Sequence, residues 1–233
     1  SSGSVVITSM EASINTMLTL QPVNLLQTAA DLLWSPVLDR FPKVRFALSE
    51  GGIGWIPYFL ERADYVYKNH RVWTGANYSD QLPSDRFRER ILTCFIEDRH
   101  GLENRDVIGV PTMMWEADYP HSDSTWPRSP ESAWVSFQAA GLTKDEIDAV
   151  THLNAMRHFS FDAFEHRPRE ACTVGALRAL PTDVTTAPVP RFQRYDPPTE
   201  QLTLMTLLER ASHPLLDDQK PGVAASGPSA SRS

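Results

Sequence analysis

Three short apolar runs, residues 44–49, 90–96 and 113–117, each stop abruptly on a knot of polar residues, and stretches with helical periodicity lie between them. Runs this short and apolar read as buried strands. Strands that alternate with helices read as a parallel α/β sheet, whose two faces must both be covered. Three strands cannot close a barrel, which takes eight with their helices and typically about 250 residues, so the expected fold is incomplete on its own.

The intervening helices follow from spacing. Residues 22–41 carry Leu25, Leu26, Ala29, Ala30, Leu32, Leu33, Val37 and Leu38 at three-to-four intervals. Pro22 suits a first turn there, and Pro36 kinks or ends the helix. A second helix is expected over 55–68, a long polar and aromatic loop over 69–87, a short helical piece over 99–107, and two helices over 130–140 and 143–158. Thr143 and Glu146 form a capping box at the start of the last one. From residue 165 onward prolines replace apolar residues, so residues 1–164 are expected to be the folded part. Residues 165–233 are expected to be a mostly disordered tail, with one amphipathic helix at 200–211.

Composition narrows the function. A formal charge of −7 without any basic run argues against nucleic acid as a partner. Cys94 and Cys172 are far apart and belong to no C-x-x-C pair, which leaves no disulfide framework or thiolate zinc site. No run approaches the roughly 18 apolar residues of a membrane span, and the first twenty residues lack the order of a signal peptide. A soluble, cytoplasmic protein is therefore expected. Ser1 in place of Met is compatible with an expression scar, a processed end or a cut in a longer sequence.

In parallel α/β folds, reactive groups stand at the C-terminal ends of strands. Three constellations occupy those ends: Ser49-Glu50-Gly51-Gly52, Glu97-Asp98-Arg99-His100, and Glu116-Ala117-Asp118-Tyr119-Pro120-His121. Asp118 leads them, because a carboxylate directly after an apolar strand can hold a divalent cation and exchange a proton with water; the alternative is a cap of its own turn. His121 adds a proton carrier or ligand three residues on, or is a loop histidine. Glu50, ahead of two glycines that let a ligand approach the backbone, is a candidate acid or base, or a carboxylate facing a helix N-terminus. Glu97, Asp98 and His100 read as a solvated turn, and Ser122, Asp123 and Ser124 as residues shaping their loop. Ser49 lies outside any G-x-S-x-G elbow, and no phosphate-binding glycine motif is present. His152 and His158, six apart on the last helix, read as surface or packing residues.

The segments Phe41-Pro42-Lys43-Val44-Arg45-Phe46-Ala47-Leu48-Ser49-Glu50-Gly51-Gly52-Ile53-Gly54-Trp55, Leu60-Glu61-Arg62-Ala63-Asp64, Trp115-Glu116-Ala117-Asp118-Tyr119-Pro120-His121 and Asn154-Ala155 together resemble the amidohydrolase-related family. That family includes hydrolases and the decarboxylases similar to aminocarboxymuconate-semialdehyde decarboxylase. The resemblance covers about residues 1–164. It implies a (β/α)8 TIM barrel of the metal-dependent hydrolase superfamily, of which this chain carries the last three strands. It also implies one divalent metal, zinc or manganese, with Asp118 as metal ligand and proton carrier and His121 lining the pocket. Many relatives carry histidine where Glu50 stands. The family's first-strand His-x-His or Glu-x-His motif and its fifth-strand histidine have no counterpart, and the sequence begins where the loop after the fifth strand is expected.

Two readings follow from the resemblance. In one, the chain is a fragment of a metal-dependent hydrolase or non-oxidative decarboxylase acting on a small, carboxylated organic substrate. In the other, it is an inactive remnant that binds a partner half-barrel, another protein or a second copy of itself.

Overall fold

The computed structural model describes residues 9–180 and 200–212. The chain divides into two compact units, whose described parts are residues 19–180 and, separately, residues 9–18 with 200–212. The boundary at Thr19 falls within the first helix, α1 (Ile14–Trp34).

In the larger unit α1 is followed by the single turn α2 (Val37–Arg40), strand β1 (Phe46–Leu48), the long helix α3 (Ile56–Thr74) and α4 (Pro83–Arg90). Strand β2 (Ile91–Phe95), the short helices α5 (Arg99–Glu103) and α6 (Arg105–Ile108), and strand β3 (Met113–Trp115) come next. Helix α7 (Ser129–Ala139) precedes a continuous helical stretch built from α8 (Lys144–Asp148), a π turn (Ala149–Leu153) and α9 (Asn154–Phe159). The three expected strands form one parallel sheet in the order β1-β2-β3, with Leu48 opposite Thr93 and Thr93 opposite Met113.

The period of two along each strand sorts the side chains onto two faces. Leu48, Ile91, Phe95 and Met113 join the main core with Ile53, Ile56, Phe59 and Leu60 of the β1–α3 segment and Phe137 and Val150 of the later helices. Leu92, Cys94 and Met114 point the other way and make a second, small cluster against Ala155. Buried Asn154 ties the last helix to this sheet, because its amide donates to the carbonyls of Val110 (2.7 Å) and Met113 (2.8 Å) at the entry to β3.

Several expectations about the helices need correction. The first helix does not begin at Pro22. It starts at Ile14, whose N–H is held by the Leu202 carbonyl, so Pro22 lies inside it and forgoes one backbone bond. Pro36 does separate α1 from α2. The loop expected over 69–87 is largely helical: α3 runs on to Thr74 and stops at Gly75, whose φ of 73° is the left-handed C-cap geometry that glycine adopts without strain. Helix α4 fills the other end of that stretch. Pro83 occupies its first turn, and Asp64 of α3 receives both the backbone N–H and the hydroxyl of Ser84, at 2.9 and 2.8 Å.

Residues 165–180 of the expected tail hold a 3₁₀ turn (Arg169–Cys172) and helix α10 (Val174–Arg178), with Arg178 paired to Glu131 and Arg169 to Asp148. Residues 181–199 and 213–233 lie outside the described residues. In the smaller unit, helix α11 (Leu204–Ser212) covers most of the expected 200–211 helix; Ser13 and Thr203 form an antiparallel bridge, and Thr203 Oγ1 accepts the Thr206 N–H. Among the described residues no helix is long and apolar enough to cross a membrane.

The capping box read at Thr143 and Glu146 is present, and Glu146 also accepts the Arg105 Nε–H at 2.6 Å. The Arg105 hydrogen bond, helped by those from Thr143, holds the Glu146 carboxyl below its ordinary range against the opposing effect of partial burial. A depressed folded-state pKa means that this stabilisation is complete above the unfolded value of about 4.3 and fades as pH falls through the lower, folded value. Glu146→Gln is therefore expected to cost about 1–2 kcal/mol at neutral pH. That difference should shrink in urea titrations repeated at steadily more acidic pH below about 4.3.

Candidate functional site

The β1–α3 turn is held open and rigid by contacts that only glycine permits. A Cβ on Gly51 would lie 2.3 Å from Leu25 Cδ2, and Gly52 has a φ of +63°. Asp98, at the end of β2, fixes the rest of the turn: its Oδ2 accepts the N–H groups of Ile53 (2.7 Å) and Gly54 (2.6 Å), while its Oδ1 caps α5 through Gly101 N–H (2.8 Å). Asp98 is thus a structural clamp, and reading it as part of a merely solvated turn underestimated it.

Glu50 is carried at the lip of this turn with a φ of 65°, in the left-handed region that a residue with a Cβ rarely adopts. Asp118, after β3, has the same unusual geometry with a φ of 48°. The chain then bends sharply, with cis peptide bonds at Tyr119-Pro120 and Trp126-Pro127 and with the His121 N–H returning to the Asp118 carbonyl at 2.9 Å. Tyr119 and Trp126 meet edge-on with ring centroids 5.4 Å apart.

These two bends bring together the residues singled out in the sequence. Glu50, Asp118 and His121 each offer one donor atom, and all three atoms lie within 4.8 Å of one another. Asp118 is the deepest, its side chain 13% accessible against 66% for His121, and its Oδ1 lies 2.7 Å from His121 Nδ1. Asp118 ties its own turn twice, its carbonyl accepting the His121 N–H and its carboxylate meeting the His121 ring at 2.7 Å, and the same carboxylate also lies near Glu50.

The donor set suits a divalent cation. Two carboxylates and an imidazole are the mixed oxygen and nitrogen donors taken by zinc and manganese. Donors bound tetrahedrally at about 2.1 Å lie roughly 3.4 Å apart, so a pair at the 4.8 Å limit would close by about 1.4 Å and the Asp118–His121 pair, at 2.7 Å, would open slightly. His121 Nδ1 faces Asp118 Oδ1 at 2.7 Å, so it would serve as a ligand atom in the tautomer whose proton sits on Nε2.

Glu116 stands in the constellation after β3 but was not singled out there. Its Oε1 accepts the Glu50 N–H at 2.8 Å, and its own N–H is held by the Phe95 carbonyl at 2.9 Å. Burial raises its pKa most, the Glu50 N–H opposes this, and the neighbouring Glu50 and Asp118 carboxylates add to the rise. Its place two residues before Asp118, at the end of the same strand, was the available signal. Beneath the site, burial pushes the Cys94 thiol up to about 11, and the Ser49 hydroxyl donates to its sulfur at 3.6 Å. His152 and His158 stand apart from this site: His152 packs edge-on against Phe164, and His158 Nε2 lies 2.8 Å from the Pro111 carbonyl.

Solved structures give the setting. The chain is similar to 5-carboxyvanillate decarboxylase LigW from Sphingomonas paucimobilis, with a TM-score of 0.50 and 25% identity over 60% of this chain and 41% of that one. It also resembles an amidohydrolase from Mycobacterium avium subsp. paratuberculosis (TM-score 0.49, 22% identity, 62% of this chain and 35% of that one). A dihydroxybenzoic acid decarboxylase from a Polaromonas species, solved with bound manganese and the inhibitor 2-nitroresorcinol, follows at a TM-score of 0.46 and 17% identity, over 60% of this chain and 40% of that one. The chain therefore spans about two-fifths of the length of these relatives. No curated protein matches it. The amidohydrolase family model matches residues 16–161, a segment that holds the whole sheet together with Glu50, Asp118 and His121, and over more than half of its length this chain belongs to the amidohydrolase family.

Proposed function

We propose that residues 1–164 form the C-terminal part of a (β/α)8 barrel of a metal-dependent enzyme, a hydrolase or non-oxidative decarboxylase acting on a small carboxylated substrate. Residues 165–233 would follow the barrel as a tail, whose first part is held to it by the Arg169–Asp148 and Arg178–Glu131 pairs. The observation that carries the reading is the convergence of Glu50, Asp118 and His121 within 4.8 Å at the C-terminal ends of β1 and β3. The likeness to a decarboxylase of an aromatic carboxylic acid supports the carboxylated substrate class.

Glu50, Asp118 and His121 would hold one zinc or manganese ion. Lewis-acid polarisation of a substrate carboxylate or carbonyl oxygen is the chemistry such an ion supplies when bound. The chain's own part is proton management. With the ion held, the Asp118 carboxylate would carry the proton, giving it to the carbon that loses carbon dioxide in a decarboxylation or accepting one from water in a hydrolysis. Asp118, less exposed than His121, would touch the reacting atoms, and His121, open to solvent, would complete the ion's protein ligands. The Tyr119 and Trp126 rings, in the loop after Asp118, would offer an apolar wall to the substrate.

A second reading keeps the family and drops the activity: a silent chain that binds a complementary half-barrel or a second copy of itself. It is favoured by the sheet, in which β1 and β3 each pair only with β2 among the described residues.

Calorimetric titration of the purified chain with Mn²⁺ and Zn²⁺, with Asp118→Asn alongside, tests the proposal. One ion per chain is expected, with affinity at least about tenfold weaker in the variant and an unfolding midpoint close to the parent's. Equal affinities would remove Asp118 from the ligand set. No ion uptake, with light scattering showing a stable assembly, would favour the silent chain.

A further inference from the structure

We infer that Glu116 is the positioning residue of this site: its carboxylate, acting as a hydrogen-bond acceptor, holds the backbone of Glu50 in the conformation that aims the Glu50 side chain at Asp118 and His121. The inference rests on the metal-site reading above and concerns how that site is assembled.

The sheet order creates the need. β1 and β3 are not neighbours, since β2 lies between them, and strands two places apart are separated by about 9–10 Å. Donors carried at the ends of β1 and β3 would stay apart if each simply continued its strand. Glu50 and Asp118 nevertheless bring donor atoms within 4.8 Å. Each does so by turning its backbone into the left-handed region, with φ values of 65° and 48°.

Such a conformation costs about 1 kcal/mol or more in a residue with a Cβ and persists only where its surroundings enforce it. For Asp118 the enforcing contact is local, the return of the His121 N–H to the Asp118 carbonyl. For Glu50 it comes from the opposite strand. The Glu50 N–H donates to Glu116 Oε1 at 2.8 Å, so the Glu116 side chain spans the end of β2 to reach it. Glu116 is itself anchored, because its N–H donates to the Phe95 carbonyl at 2.9 Å at the last residue of β2. All three strand ends are thereby locked to one another through a single residue, by its backbone to β2 and by its side chain to the turn after β1. Glu116 is absent from the group of convergent donors, which separates its role from ligation.

The chemistry of the contact dictates the test. Acceptance of an N–H needs an oxygen at that place and not a charge, so Glu116→Gln preserves it through the amide oxygen while Glu116→Ala removes it. The full chain and both variants are titrated with Mn²⁺, and exchange of the Glu50 amide proton is followed by NMR without metal. We expect Glu116→Ala to bind Mn²⁺ about tenfold or more weakly and to lose protection at the Glu50 amide, and Glu116→Gln to stay within about threefold of the parent with protection retained. Glu146→Gln, remote from the site, serves as a control for general destabilisation and should leave Mn²⁺ affinity unchanged. A parent that binds Mn²⁺ alongside an alanine variant that binds it equally well overturns the inference alone. A glutamine variant as weak as the alanine one also overturns it, since charge and not hydrogen bonding would then be at work. A parent that takes up no Mn²⁺ overturns the metal-site reading and this inference with it.

Discussion

Arg90→Met should lower the stability of the fold by about 3 kcal/mol, because one buried guanidinium serves three backbone carbonyls. Nη1 donates to Leu38 O (3.1 Å), Nη2 to Phe41 O (2.7 Å) and Val44 O (2.6 Å), and Nε again to Val44 O (3.0 Å). The Leu38 carbonyl belongs to α2, and those of Phe41 and Val44 to the connection between α2 and β1, which has little regular structure of its own. Methionine fills a similar volume and leaves the acceptors unserved. Water can reach the exposed Phe41 and Val44 segments, but the Leu38 contact is buried, which is why the loss stops near 3 kcal/mol and does not reach the sum of four charge-assisted bonds. Arg90→Lys should recover only part of it, since an ammonium lacks the planar fork. Urea unfolding followed by far-UV circular dichroism measures the change; an unaltered midpoint in the methionine variant would show that solvent replaces the guanidinium at no cost.

Asp98→Ala should be of similar size, about 3 kcal/mol, and should also disturb the candidate site. Three N–H donors, those of Ile53, Gly54 and Gly101, lose their acceptor at once. The Asp98 carboxylate is packed against this turn, 2.8 Å from the Cβ that Gly52 and Gly54 would each carry. Asp98→Asn can turn its amide oxygen toward Ile53 and Gly54 and sacrifice only the Gly101 bond, so it should cost clearly less. Because the clamp holds the turn that begins at Glu50, the alanine variant should weaken cation binding as well as stability, whereas Arg90→Met, acting at the entry end of the sheet, should spare the cation. Comparing calorimetric titrations of the two variants separates these effects, and identical binding in both would show that the turn keeps its shape without Asp98.

The parts of this fold that were legible in the sequence are those written in local patterns. The strands announced themselves through apolar runs cut by polar residues, and Thr143 and Glu146 announced a helix start through their spacing. Helix α4 did not, since its buried side is made by Phe87 together with Arg86 and Arg90 and presents no apolar stripe; Pro83, inside the stretch expected as a loop, is its first residue. The end of α3 was missed because residues 69–74 are mostly polar, leaving Gly75 as the stop signal. The same division runs through the site. Asp118 and His121, three apart, and Glu50, beside two glycines, could be chosen from position. Asp98 and Glu116 stood in the strand-end constellations too, but their work as clamp and brace was not legible there, because their partners lie across the sheet at Ile53, Gly54 and Glu50, and a single sequence carries no sign of such pairings.

The left-handed geometry at Glu50 and Asp118 sets a limit on engineering this chain. Glycine is the residue that tolerates such angles at least expense, so a redesign scored on thermal robustness alone would favour it at both places. Each swap would ease the local backbone and erase a donor. A hardened version of the scaffold must therefore look for its gains elsewhere, and tolerance of heat and capacity to hold an ion should pull in opposite directions at these two positions.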